Sequence, residues 1–139
     1  MAAAVFVSFD YENDRHYKYL LEAWHAHPRF TFVFQDETPR EIDSTNVGRV
    51  KAALTAKINA ATHTLVIVGK FVNAVHPKLH LIGYRNWINF EIAQSKAHGN
   101  RIVAVKLDRS YESPEELNGA NASWAMAFTE EAILRALQG

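Results

Sequence analysis

The chain alternates between short runs that are apolar throughout and longer stretches in which apolar residues recur every three or four positions. Residues 4–9, AVFVSF, form a compact β-branched and aromatic run, the pattern of a strand buried on both faces. From Asp10 the period changes. Tyr17, Leu20, Leu21 and Trp24 recur at helical spacing, so a helix is expected from Asn13 or Asp14, either able to cap it, to Pro28. FTFVFQ (30–35) reads as a second strand. VGRVKAALTAKINAA (47–61) reads as a helix with Val47, Val50, Leu54 and Ile58 inward, and HTLVIVG (63–69) as the third strand. NWINFEIAQSKAH (86–98) is a helix stopped by Gly99, RIVAVKL (101–107) a fourth strand, and WAMAFTEEAILRALQ (124–138) contains a closing helix. Polar loops fill 36–46, 70–85 and 108–123.

Strands alternating with helices imply an α/β sandwich around a parallel sheet of four or five strands, in one domain over 1–139. In such folds ligands sit beyond the carboxyl ends of the strands, at the switch point. That edge comprises residues 8–15, 36–46, 70–87 and 108–120, with both longer loops on it.

Composition narrows the chemistry. Fifteen Lys and Arg balance fifteen Asp and Glu, which gives no electrostatic reason to expect nucleic acid or an anionic membrane. Cysteine is absent, which removes disulfides, thiolate metal sites and a Cys nucleophile, and suits a reducing cytoplasm. The opening MAAAVFVSFD has no basic leader and is too short to span a bilayer; it reads as the first strand. SFDYEND after strand one has no glycine, against a phosphate-cradling loop, and Gly69–Lys70 after strand three supplies no phospho-accepting acid. No metal is expected. His25 and His27 are two apart, on different helix faces, and His76 and His80 flank Pro77, which disfavours i, i+4 chelation. Ser8 lacks a nucleophile elbow, so its plain reading is a strand-end hydroxyl satisfying backbone groups. Asn89, two residues before Glu91, is expected at the surface or a helix–helix contact. Tyr84 and Arg85 flank the ligand edge by position alone.

Glu91 stands out. Trp87, Ile88, Ile92 and Ala93 make an apolar helix face, yet an acid falls one turn after Trp87, between Phe90 and Ile92. A helix glutamate is ordinarily solvated and ion-paired. Here its place on the ligand edge and its large apolar neighbours predict partial desolvation. Such a carboxylate suits positive charge developing on a sugar ring.

VFVSFDYENDRHYKYLLEAW at strand one and WINFEI after the second long loop resemble the TIR-like domains, the bacterial single-domain Thoeris anti-phage branch in particular. The resemblance spans nearly the whole chain and implies a flavodoxin-like three-layer sandwich. It implies an enzyme cleaving the nicotinamide–ribose bond of NAD, with Glu91 the catalytic acid, Trp87 its pocket wall, and Ser8, Phe9 and Asp10 lining the site. The loop from Asp36 to Asn46 matches the mobile loop used in assembly and in covering substrate. Relatives often carry basic residues just after the first strand. Here Asp10 and Tyr11 stand there, so phosphate contacts fall to Arg15, Arg40 or Lys70. The implied product is a cyclic or modified ADP-ribose signal for a partner effector, with NAD as substrate, no prosthetic group, and self-assembly into a homo-oligomer. Two other readings stay open: a non-catalytic TIR-like interaction module, and a flavodoxin-like domain for another nucleotide such as a flavin.

Overall fold

The computed structural model describes residues 4–25, 33–35 and 46–138. Among these residues five parallel strands, β1 (Ala4–Ser8), β2 (Val33–Gln35), β3 (His63–Val68), β4 (Arg101–Lys106) and β5 (Ser123–Ala125), form one sheet in the order β2-β1-β3-β4-β5. The helices are α1 (Tyr11–His25), α2 (Val47–Asn59), the single turn α3 (Leu79–Ile82), α4 (Trp87–His98) and α5 (Glu130–Gln138). A 3-10 turn covers Glu115–Leu117.

Alternation along the strands assigns the layers. Val5, Val7, Phe9, Leu65 and Ile67 share a core with Leu21 of α1 and Ile133 and Leu137 of α5. On the other face Phe6 packs with Val50, Leu54 and Ile58 of α2, while Val66 and Val68 pack with Ile88 and Ile92 of α4. This is the flavodoxin-like α/β sandwich expected, and the order reverses direction between β1 and β3. The crevice beyond their carboxyl ends is therefore the switch point.

Two elements depart from the periodicity. Helix α1 begins at Tyr11, not at Asn13 or Asp14: Asp14 N donates to Asp10 O at 2.7 Å, and Asn13 Nδ2 donates to Asp10 Oδ2 at 2.7 Å. Asp10 thus occupies the capping position and Asp14 falls inside the first turn. The closing helix expected within 124–138 is α5, and the apolar residues ahead of it complete β5, whose Trp124 sits beside Ala104 of β4. A short apolar run fits either state, and α5 waits for Thr129, whose Oγ1 accepts from Ala132 N at 3.2 Å.

Helix α4 is fixed at both ends. Gly99 closes it at φ 87°, a left-handed conformation that favours glycine. At its start the buried Asn86 accepts from Asn89 N at 3.0 Å and from Asn89 Nδ2 at 2.9 Å. Its own amide donates to Val72 O at 2.8 Å and Ala74 O at 2.9 Å, holding the β3–α4 loop. Asn89, expected at the surface or a helix contact, is fully enclosed, and its Oδ1 accepts from Glu116 N at 3.1 Å. The Asn86→Ala variant loses the cap and leaves two carbonyls without their donor. It is expected to cost about 2–4 kcal/mol in urea unfolding; an unchanged midpoint would contradict the clamp.

Candidate active site

Ser8 is the last residue of β1, and strand alternation turns its hydroxyl toward α4. Glu91 comes down from α4 to meet it: Ser8 Oγ donates to Glu91 Oε1 at 2.6 Å, and both residues are buried, Glu91 to 2% exposure. The acid is thus not at the margin of the core but inside it, more enclosed than the partial desolvation expected. One turn on, Ser95 repeats the pattern. Its Oγ donates to the Glu91 carbonyl at 2.7 Å and lies 2.7 Å from Thr64 Oγ1 on β3. Asn100 Nδ2 donates to Thr64 Oγ1 at 3.4 Å and Ile58 O at 3.0 Å. A polar row, Glu91 then Ser95, therefore runs down α4 between two apolar rows, Trp87 and Phe90 toward α2, Ile88 and Ile92 toward β4.

Burial holds the Glu91 carboxyl up at about 8, with the Ser8 hydrogen bond opposing. At neutral pH the group is mostly a neutral acid. Positive charge brought beside it favours the carboxylate.

The remaining sequence-selected residues scatter. Trp87 is half-buried one turn before Glu91 and meets Phe90 edge-on at 5.5 Å. Phe9 turns to the opposite sheet face, into the core with α1 and α5. Asp10 is half-buried at the start of α1, Arg15 is exposed on that helix, and Lys70 is exposed with Nζ 5.6 Å from the Phe71 ring. Asp36 and Arg40, with the loop through residue 45, and the His27 position lie outside the described residues. His76 Nδ1 accepts from Lys78 N at 2.9 Å, while His80 lines a cleft of about 660 Å³ with Tyr84, Arg85 and Glu115. Among the described residues no cluster of His, Asp and Glu is arranged to hold a metal ion, and no helix is long and apolar enough to cross a membrane.

One acid at this edge escaped the sequence reading. Asp14 is 7% exposed, its Oδ2 has no hydrogen-bond partner among the described residues, and it lies against Gly69, where a Cβ would collide with that oxygen. Burial, then the neighbouring Asp10 charge, holds its carboxyl up at about 6, with His16 opposing. The available signal was its place one turn after the capping Asp10.

A doubly wound α/β domain with a buried acid–hydroxyl pair at its switch point is the class that fold and site define. The chain belongs to the family described as Thoeris protein ThsB, TIR-like domain, whose family model matches residues 6–112. Among solved structures it is similar to the Clostridium botulinum CMP N-glycosidase BcmB, with a TM-score of 0.60, 14% identity and 97% of each chain covered, a likeness of fold. No curated protein sequence matches it significantly.

The buried acids set the pH dependence of stability. The folded chain binds a proton at Glu91 more tightly than the unfolded chain does. The stabilisation is complete below pH 4.5 and is lost as pH rises toward about 8. Asp14 adds a smaller loss between pH 3.8 and about 6. Unfolding free energy is expected to fall by several kcal/mol across this range, and the Glu91→Gln curve to be flatter. Parallel curves would contradict the burial of an ionisable group there.

Proposed function

We propose that the protein cleaves the N-glycosidic bond between nicotinamide and ribose in NAD, with Glu91 facing the anomeric carbon. The observation that carries this reading is the buried Ser8–Glu91 pair at the switch point of a ThsB TIR-like chain. In NAD the ring nitrogen is already cationic. The C1′–N bond breaks with its electron pair going to nicotinamide, which leaves neutral and needs no general acid. Positive charge moves to the ribose. The Glu91 carboxylate offsets it, and Ser8 holds that carboxylate by its Oε1. Such preorganised stabilisation is typically worth roughly 10² to 10³ in rate.

The acceptor sets the product. Water adds at C1′ and releases a proton, giving ADP-ribose; a nucleophile of the same molecule gives a cyclic isomer. In this reading the product is a diffusible nucleotide signal read by a separate effector protein in anti-phage defence, made in the cytoplasm by a self-assembling enzyme. Trp87 walls the nicotinamide side, and of the cations the resemblance offers for the diphosphate, Arg15 and Lys70 are among the described residues. The competing reading is a non-catalytic interaction module, and the near-complete enclosure of Glu91 favours it.

Nicotinamide release from NAD decides between them, measured at high protein concentration with CMP as a second substrate because of the fold likeness. The native chain is expected to release nicotinamide, Glu91→Gln to lose at least 100-fold and Ser8→Ala about tenfold. Because the carboxylate acts, kcat/KM is expected to rise with pH up to about 8. Equal release by the native chain and Glu91→Gln would overturn the assignment.

A further inference from the structure

Gly69 follows β3, and its register places it beyond the level of Ser8. Ser8 pairs with Val66, so Gly69 stands three residues further along, about 10 Å nearer the rim at the rise of a parallel strand. It shares parity with Leu65 and Ile67, which face α1. The Asp14 carboxyl fills the space a side chain at 69 would take. Glu91 and Asp14 therefore flank the ends of β1 and β3 from opposite sheet faces, one deep and one near the rim.

Asp14 is otherwise hard to account for. It does not cap α1, since Asp10 does. One turn on, Lys18 has its Nζ 3.7 Å from Glu22 Oε1 and 5.9 Å from the Phe9 ring centroid, and the charge of His16 acts on the Asp14 carboxyl without bonding the free oxygen. An oxygen of an acid nine-tenths buried has no donor among the described residues, an arrangement that costs stability. Groups of that kind are retained where a ligand completes them. The Asp10 charge beside it disfavours an anionic group at this carboxyl, so the missing partner is a hydrogen-bond donor.

We infer that Asp14, cradled by Gly69, is a substrate-binding residue that accepts a hydrogen bond from a hydroxyl or amino group of the bound nucleotide, at a point distant from the bond Glu91 faces. The inference rests on the nucleotide reading above.

The test is calorimetric titration on the Glu91→Gln parent, which leaves the ligand intact, with NAD, CMP and deamino-NAD as probes. Asp14→Ala is expected to weaken nucleotide binding at least tenfold while leaving the melting temperature equal or higher. Gly69→Ala, which displaces the carboxyl without removing it, is expected to weaken binding as well. If the donor is the adenine amino group, deamino-NAD binds the parent more weakly than NAD and the Asp14→Ala double variant equally. If it is a hydroxyl, Asp14→Ala costs both dinucleotides the same. Unchanged affinity in Asp14→Ala, whatever its melting temperature, would overturn this inference alone. If neither the parent nor the native chain binds NAD or CMP, this inference and the nucleotide reading fall together.

Discussion

A single hydrogen bond, from the Ser8 hydroxyl to the Glu91 carboxyl across the β1–α4 interface, is the interaction on which the rest of this domain is arranged. Ionising an acid in a dry interior is unfavourable by several kcal/mol, and one hydroxyl offsets only part of that. The group persists because α4 is held rigidly enough to keep it there. Asn86 ties the helix start to the preceding loop, Asn89 ties it to the 3-10 turn, and Gly99 closes its end. Ser95 and Thr64 continue the polar seam one turn down, so α4 rests on β1 and β3 through matched polar groups rather than through apolar contact alone.

That arrangement has a chemical consequence. A carboxyl whose proton is held up to about 8 changes charge when a cation approaches, and in the proposed reaction the cationic ring leaves neutral and its positive charge passes to the sugar. The same burial that destabilises the charged form in the free protein makes its electrostatic effect large once charge develops. Asp14 shows a milder version on the opposite sheet face, with an oxygen that has no partner among the described residues. The domain concentrates unfavourable burial at one sheet edge, where the doubly wound topology opens its crevice.

Local patterning made most of the fold legible. The all-apolar runs at 63–69 and 101–107 match β3 and β4 to within a residue, and Gly99 marks the end of α4. Where two states fit the same pattern, local reading leaves the boundary open: WAMAF precedes the closing helix and only its pairing with β4 makes its first residues β5. The start of α1 was misplaced because three polar residues in DYEND are each able to cap, and only the Asp10 carbonyl bond to Asp14 decides between them. Glu91 was conspicuous from spacing alone, yet its depth was not, because that depends on Ser8, 83 residues away. Asp14 meeting Gly69 is likewise a contact between distant parts of the chain. Asn89 is hidden for another reason: an amide buried by accepting a backbone N–H from a loop leaves no periodic trace.

The central claim is that the Ser8–Glu91 pair faces the reacting bond of a nucleotide. The most direct measurement is a crystal structure of the Glu91→Gln protein with NAD. The account predicts the nicotinamide ribose at the carboxyl ends of β1 and β3, its C1′ in contact with the side chain at 91 and Ser8 beside it. NAD bound elsewhere, with residue 91 still sealed against Ser8, would contradict it.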